Sequence, residues 1–171
     1  MPADAIALRH ELRPGDVEAV AGLHGMVYAA EYGFDATFAE YVRGPLEAFA
    51  RGPGRRERIW LAERDGRLAG CVAIVRASDS EAQLRWFLVA PPARGLGLGR
   101  RLLAEAVEFS RRQGYASVFL WTVDLLTAAA RLYRAAGFTK VEGNPGRRWG
   151  VDVVEEKYVL PLEAAPPEQT G

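Results

Sequence analysis

A glycine-rich run between a strand pattern and a helix pattern places the strongest constraint on how this chain folds. Residues 94–99 read Arg-Gly-Leu-Gly-Leu-Gly. An apolar run over 83–89 precedes them and stops at Pro91-Pro92, and apolar residues then recur at helical spacing from Leu98 onward. The chain therefore passes from a strand through a tight loop into an amphipathic helix, as in one half of a β-α-β unit.

A loop of this kind has a physical reason to bind anions. The first N–H groups of a helix have no partner and carry partial positive charge. Glycines let a phosphate approach those groups, and Arg94 and Arg100 add cationic donors. Two phosphate motifs are excluded: Gly99 is followed by arginine where a P-loop needs Lys-Ser/Thr, and a dinucleotide fingerprint starting at Gly97 would meet Leu102. A flexible strand–helix turn without a ligand stays the alternative.

Glycine, proline and polar breaks divide the chain into strand and helix patterns. Strands are predicted over 6–12, 58–63, 68–76, 83–89, 116–122, 138–141 and 153–160, and helices over 16–30, 35–49, 98–113 and 125–136. The order β-α-α-β-β-β-α-β-α-β-β predicts an α+β (α/β) fold around one mixed sheet, with an antiparallel meander first and β-α-β crossovers later. We expect one domain over residues 1–162 and a disordered, Pro-rich tail over 163–171.

Composition excludes several classes of function. Lys plus Arg and Asp plus Glu number 22 each, so no net charge draws the chain to nucleic acid or to acidic membranes. One cysteine, Cys71, and two histidines are too few for a disulfide or for a Cys-rich or His-rich zinc site. No apolar stretch is long enough to cross a bilayer, and Asp4 and Arg9 come too early for a signal peptide. We expect a cytoplasmic protein with no metal, nucleic-acid or membrane partner.

Two segments, 88–99 and 132–138, resemble the two signatures of GNAT-family acetyltransferases. The first segment is similar to the acyl-CoA motif Arg/Gln-x-x-Gly-x-Gly/Ala that follows a strand. The second, Leu-Tyr-Arg-Ala-Ala-Gly-Phe, is similar to the signature that carries the catalytic tyrosine. The segments lie about one β-α unit apart in the family's order. The resemblance covers residues 6–162 and implies the GNAT fold.

The resemblance implies acetyl-CoA as the cosubstrate and assigns roles residue by residue. The strand would flank the pantetheine arm and the loop would hold the pyrophosphate. The implied cofactor-binding residues are Phe87, Leu88, Val89, Arg94, Gly95, Leu96, Gly97, Leu98, Gly99 and Arg100. The Tyr133 hydroxyl would protonate the departing sulfur, and the Val89 N–H would donate to the oxyanion. From the pattern alone, packing in the core is the alternative for Tyr133.

The chain departs from the family pattern at one position. Many members carry an asparagine seven residues before the tyrosine, where it contacts the cofactor, and this chain has Leu126 there. Either Asp124 or Thr127 takes over that contact, or the contact is absent.

The acceptor amine is expected beneath the two N-terminal helices, at His24, Tyr28, Glu31 and Tyr32. Tyr28 lies three residues from Glu31 and four from Tyr32, so these side chains share one helix face. Aromatic rings beside a carboxylate suit a cationic amine, which Glu31 would orient. The general base is open between Glu31, Glu81, His24 and a chain of water molecules.

A narrower resemblance links residues 24–33, 120–122 and 149–152 to the acetyltransferase half of bacterial MarR–GNAT fusion proteins, which implies a stand-alone version of that half. The implied function is transfer of an acetyl group from acetyl-CoA to an amine of a small molecule or peptide, by direct attack in a ternary complex. The alternative is a non-catalytic, acyl-CoA-binding regulatory module on the same fold. The oligomeric state is open, with a homodimer as one option.

Overall fold

The computed structural model describes residues 5–162 and contains strands and helices in the predicted order. The strands are β1 (Ala7–Arg9), β2 (Arg58–Arg64), β3 (Arg67–Arg76), β4 (Glu81–Val89), β5 (Ser117–Val123), β6 (Thr139–Arg148) and β7 (Val151–Pro161). The helices are α1 (Asp16–Tyr32), α2 (Thr37–Ala50), α3 (Leu98–Arg112) and α4 (Thr127–Ala135), with a short 3₁₀ turn at Pro91–Ala93. The predicted tail over 163–171 lies outside the described residues.

Within residues 5–162 the strands form one mixed sheet in the order β1-β2-β3-β4-β5-β7-β6. Neighbouring strands are antiparallel except for β4 and β5, which run parallel. Strands β2, β3 and β4 make the predicted meander, and the crossover through α3 brings β5 beside β4. The predicted α+β fold around a mixed sheet is confirmed.

Apolar side chains pack against both faces of the sheet. On one face, α3 and α4 cover a core that includes Trp60, Leu102 and Leu120. On the other face, α1 and α2 cover a second core that includes Leu46 and Cys71. Full burial of a large apolar side chain contributes about 1.5–3 kcal/mol. Both helix pairs are therefore fixed against the strands, which holds any site between them in place.

The ends of the sheet differ from the prediction. β1 covers fewer residues than the predicted span of 6–12, since only Ala7–Arg9 find partners on β2. The predicted span of β6 ends at Val141, since Gly-Asn-Pro-Gly at 143–146 is typical of a turn. In the structure, β6 continues to Arg148. β6 is an edge strand with exposed residues, and an edge strand tolerates Pro145. The actual turn is Trp149-Gly150, whose φ values of 49° and 80° suit a two-residue hairpin.

Candidate active site

A cleft opens in the middle of the sheet where β4 and β5 separate. The two strands pair only between Glu81–Gln83 and Ser117–Phe119, and they diverge beyond that point. The cleft encloses about 820 Å³ of space when its solvent-open mouth is counted. Its walls come from α1, α2, β4, β5, α4, β7 and the turn between β6 and β7.

A β-bulge in β4 accompanies this separation. The register leaves Val72 of β3 opposite two residues of β4, Trp86 and Phe87. Trp86 has a φ of 51°, an uncommon value for a residue that carries a side chain. The bulge turns Trp86 and Leu88 toward the α1–α2 face of the sheet and Phe87 toward the α3–α4 face. Neighbouring residues of β4 at the bulge therefore point to opposite faces of the sheet.

The main chain of Val89 faces the gap between β4 and β5. The Ala90 N–H donates to the Ala69 carbonyl oxygen at 2.8 Å, which turns the main chain of Ala90 toward β3. Peptide groups alternate in direction along a strand, so the Val89 N–H turns the other way. β5 no longer pairs with β4 at this level. The Val89 N–H is therefore a donor without a strand partner.

Tyr133 of α4 lines the cleft and also packs in the core. The residue is 5% exposed, and its ring centroid lies 5.8 Å from that of Phe87, 5.9 Å from that of Phe138 and 5.8 Å from that of Tyr158. The Tyr158 hydroxyl accepts a hydrogen bond from Arg134, whereas the Tyr133 hydroxyl has no partner within the described residues. Burial, followed by the nearby Tyr158, raises the pKa of Tyr133 above its ordinary value. The hydroxyl therefore stays protonated and available as a donor.

Tyr28 and His24 of α1 also line the cleft, and both are buried. Nδ1 of His24 lies 2.8 Å from the Val20 carbonyl oxygen. That oxygen can only accept, so Nδ1 carries the proton and Nε2 keeps a lone pair. Nε2 has no hydrogen-bond partner in the described part of the chain. Burial lowers the pKa of His24 to about 4, so the ring is neutral at pH 7.

The glycine-rich loop leads directly into α3 with its main chain exposed. Gly95 and Gly97 have φ values of 82° and 77°, which glycine adopts without strain. Gly97 is the N-cap residue, and the Arg101 N–H donates to its carbonyl oxygen at 3.1 Å. The N–H groups of the three intervening residues precede the helix ladder and have no partner in it. Leu96 and Arg100 are exposed beside them. This cluster of donors fits a phosphate-bearing ligand.

Two other loop residues have a packing role. Leu98 is 3% exposed and belongs to the core beneath α3. A Cβ at Gly99 would lie 3.0 Å from Leu132 Cδ1 and 3.4 Å from Val89 Cγ2. Gly99 therefore lets α3 approach α4 and β4 closely, and it offers a ligand only its main chain.

Arg94, at the start of the loop, is paired with Glu31 of α1. Arg94 Nη2 lies 3.0 Å from Glu31 Oε2, and Nη1 contacts Oε1. Glu31 lies outside the cleft lining, with both carboxylate oxygens engaged. Tyr32 also lies outside the lining and packs edge-on against Tyr28 at a centroid distance of 5.4 Å. Of the four predicted acceptor residues, the structure brings together His24 and Tyr28 in the cleft.

Asp124 and Thr127 lie in a separate depression between α4 and β7, which shares no lining residue with the cleft. Asp124 Oδ1 accepts a hydrogen bond from the Val154 N–H at 2.8 Å, so its carboxylate anchors the end of β5 to β7. Leu126 itself lines the cleft. Leu126 therefore presents an apolar side chain to the cleft at the position where many family members have an asparagine.

Glu81 is placed away from the opening. It begins β4 opposite Ser117, where β4 and β5 still pair, and it is exposed and absent from the cleft lining. The structure therefore does not bring Glu81, one of the candidate bases, into the cleft. Within residues 5–162, no three His, Cys, Asp or Glu side chains form a metal-binding group, and no helix is long and apolar enough to cross a membrane.

Comparison with known proteins decides the family. The sequence profile of the acetyltransferase (GNAT) family matches residues 26–138, which include the cleft strands, the glycine-rich loop and Tyr133. The chain belongs to the GNAT family. It is accordingly an acetyltransferase domain, and the resemblance read from its two signature segments is confirmed at the level of the family.

Individual GNAT relatives share about a third of their residues with this chain over the matched region. An N-acetyltransferase of Schizosaccharomyces pombe is 36% identical over 118 residues, which cover 67% of this chain and 72% of that protein. N-acetyltransferase 8 of Mus musculus is 33% identical over 122 residues, which cover 67% of this chain and 52% of that protein. The match covers only 38% of N-acetyltransferase family 8 member 3 of Rattus norvegicus. The chain thus spans about half or less of these mammalian relatives.

Solved GNAT structures superimpose along nearly the whole chain. One from Desulfovibrio desulfuricans has a TM-score of 0.73 and 25% identity, and the match covers 93% of this chain and 100% of that one. The Salmonella typhimurium protein YncA, solved with acetyl-CoA, has a TM-score of 0.71 and 21% identity, with 96% and 99% covered. These likenesses confirm the predicted GNAT fold. The narrower resemblance to the MarR–GNAT fusions stays a prediction.

Several residues of the GNAT cleft were not predicted as site residues. They are Arg85, Trp86, Trp121, Thr122, Trp149 and Glu155. Trp149 reaches the cleft because its carbonyl oxygen accepts from the Asp35 N–H at 2.9 Å, which holds the β6–β7 turn against the connection between α1 and α2. A signal for Trp149 existed in the segment 149–152 that resembles the fusion proteins. The bulge at Trp86 leaves no sequence signal, because apolar residues at 84, 86 and 88 also fit a regular strand.

Proposed function

We propose that the protein transfers an acetyl group from acetyl-CoA to an amine of a small molecule or peptide, by direct attack in a ternary complex. The observation that carries the proposal is the cleft between β4 and β5. There, the Val89 N–H at the diverging edge of β4 has no strand partner on β5, and Tyr133, whose hydroxyl has no partner within the described residues, lines the opening.

The loop and strand supply the contacts that acetyl-CoA needs. The N–H groups at the start of α3, which have no partner in the helix, would hold the pyrophosphate together with Arg94 and Arg100. The open edge of β4 over Phe87–Val89 would pair with the amides of the pantetheine arm, as a neighbouring strand would. Leu126 contributes an apolar contact where many relatives have an asparagine, and Asp124 is occupied with β7.

In the proposed reaction, Val89 donates a hydrogen bond and Tyr133 donates a proton. The amine nitrogen forms a bond to the thioester carbon, and the carbon–sulfur bond breaks. The Val89 N–H would donate to the carbonyl oxygen as negative charge develops on it. The Tyr133 hydroxyl would pass its proton to the departing sulfur, and its raised pKa keeps it protonated until then.

His24 is better suited to orient the acceptor amine than to act as the general base that deprotonates it. A general base works best with a pKa near the working pH, and burial lowers the pKa of His24 to about 4. Its free Nε2 lone pair can still accept a hydrogen bond from the amine N–H and direct the amine lone pair toward the carbonyl carbon. The amine proton would leave through water at the cleft mouth.

The test is thiol release from acetyl-CoA with a panel of amines, followed by mass spectrometry of the products. We expect release that depends on the amine and a product heavier by one acetyl group. Saturable binding of acetyl-CoA without thiol release for any amine would favour the regulatory-module alternative. Absence of CoA binding would reject both.

A further inference from the structure

Arg85 brings a positive charge into the cleft without a carboxylate to neutralise it. It lies on β4 beside the bulge, is half-buried and lines the cleft. The contact found for its guanidinium is the ring of Trp86, with Cζ 5.0 Å from the ring centroid. No ion pair of Arg85 occurs within residues 5–162.

The guanidinium groups of other half-buried arginines find hydrogen-bond acceptors within the protein. Arg9 is paired with two carboxylates, and so is Arg43. Arg56 donates to two backbone carbonyl oxygens, at 3.2 and 2.9 Å. Partial burial of a guanidinium is costly unless its donors find acceptors. The unused donors of Arg85 therefore indicate an acceptor that arrives with a ligand.

A second donor beside Arg85 is also unpaired. Trp86 is 8% exposed, and its indole Nε1–H has no hydrogen-bond partner in the described chain. An indole N–H can only donate, as can a guanidinium. The carboxylate that lines the cleft, that of Glu155, is already paired with Arg148 at 3.1 Å. This end of the cleft thus has donors and positive charge but no free acid.

Much of the remaining cleft wall is aromatic. Phe38 stacks on Tyr28 at a centroid distance of 4.7 Å, and the Phe34 ring is tilted by 31° against that of Trp149 at 5.0 Å. These rings pack against one another. The expectation of a cationic acceptor depended on a free Glu31, which is paired with Arg94 outside the cleft. A neutral, apolar group suits this wall.

We infer that the acceptor is an amino carboxylate with an apolar side chain, and that Arg85 binds its carboxylate. This inference rests on the proposed transferase function and names the acceptor class. Arg85 and Val89 are four residues apart on β4, at most about 13 Å along the strand. The long Arg85 side chain covers part of that distance. An amine near Val89 and a carboxylate at Arg85 can therefore belong to one amino acid.

The test compares phenylalanine with phenylalaninamide as acceptors at saturating acetyl-CoA. The pair differs by the carboxylate alone, and the amide has the more readily deprotonated amine, so a preference for the acid cannot come from amine basicity. We expect the acid to have the higher kcat/KM. Arg85→Gln should lower kcat/KM for the acid about 30-fold, since a charged hydrogen bond is lost, and change that for the amide by less than about threefold. Arg85→Lys should recover part of the loss.

Arg58→Gln is the matched control. Arg58 also lies over an aromatic ring, 4.7 Å from the centroid of Phe109, and forms no ion pair within residues 5–162, but it is not part of the cleft. Both acceptors should keep their wild-type kinetics in this variant. Equal losses for acid and amide in Arg85→Gln, or a wild-type preference for the amide, would overturn the inference.

Calorimetric titration of phenylalanine into CoA-saturated protein separates this inference from the transferase proposal. Binding that is lost in Arg85→Gln, without thiol release, would retain the carboxylate site and reject acetyl transfer. Thiol release with other amines, and no Arg85-dependent binding of any apolar amino acid, would retain the transferase and reject the carboxylate site.

Discussion

Glu31 at the end of α1 holds Arg94 at the start of the glycine-rich loop, with Arg94 Nη2 3.0 Å from Glu31 Oε2 and a second contact between Nη1 and Oε1. The pair joins the acceptor-side helix to the loop proposed to bind pyrophosphate. Both side chains are partly exposed, and exposed pairs contribute about 0–1 kcal/mol, so breaking this one costs little stability.

Glu31→Gln should strengthen CoA binding while leaving acceptor kinetics unchanged. The substitution removes a negative charge beside the proposed phosphate site and releases Arg94, so we expect Kd for CoA to fall about two- to fivefold at low salt. The measurement is calorimetry with CoA, together with steady-state kinetics in which acceptor and acetyl-CoA are varied separately.

Glu40→Gln serves as its control, because Glu40 is a second exposed glutamate paired with an arginine, Arg43, on α2. CoA affinity should not change in that variant. A raised acceptor KM in Glu31→Gln, with CoA affinity intact, would instead return Glu31 to the acceptor site, as its spacing from Tyr28 predicts.

Gly97→Asp should abolish the rise in melting temperature that CoA produces. A ligand specific for the native state stabilises it by mass action, and an aspartate at the N-cap of α3 would repel the pyrophosphate. Gly114→Asp is matched in strain, since Gly114 has a φ of 81° against 77° for Gly97 and both have open space around a Cβ. Both variants should lose some stability, and only the first should lose the CoA response. A folded Gly97→Asp protein with a full CoA response would exclude the loop as the phosphate site.

Tyr133→Phe should lower kcat by about 10- to 1000-fold, the range for loss of one proton-transfer group, with little change in CoA affinity. The ring contacts with Phe87 and Phe138 are kept, so stability should change little. Tyr115→Phe is the comparison, because Tyr115 is equally buried but donates to the Arg56 carbonyl oxygen away from the cleft. That variant should lose stability and keep turnover. The opposite pattern would make Tyr133 a core residue only.

The parts of the fold that sequence predicts are those set by local chemistry. Gly97 and the prolines before it end a strand and start a helix, whatever surrounds them. The bulge at Trp86 depends on contacts with β3 and α2, which local patterns do not record. The residues it exposes to the cleft, Arg85 among them, were missed for that reason. Glu31 illustrates the same limit: helix spacing puts it near Tyr28, but Arg94 lies 63 residues away in sequence and takes up both of its oxygens.

His24 should make the protein less stable as the pH falls from about 6.5 to about 4. Burial lowers its pKa to about 4 in the folded state, whereas the unfolded chain has the ordinary value of 6.5. Between these values the unfolded state binds the extra proton, so the free energy of unfolding rises with pH across the window and is fully restored above it. The full effect is of the order of 3 kcal/mol.

The measurement is urea unfolding at a series of pH values across this window, for the wild type, His24→Leu and His10→Gln. His24→Leu removes the titrating ring, so the difference between its free energy of unfolding and that of the wild type should change with pH. His10 is exposed, and it is the only other histidine in the sequence, so His10→Gln should follow the wild type. Parallel curves for the wild type and His24→Leu would mean that His24 is protonated as easily in the folded protein as in the unfolded chain. That result would remove the neutral Nε2 acceptor on which its proposed role in positioning the amine depends.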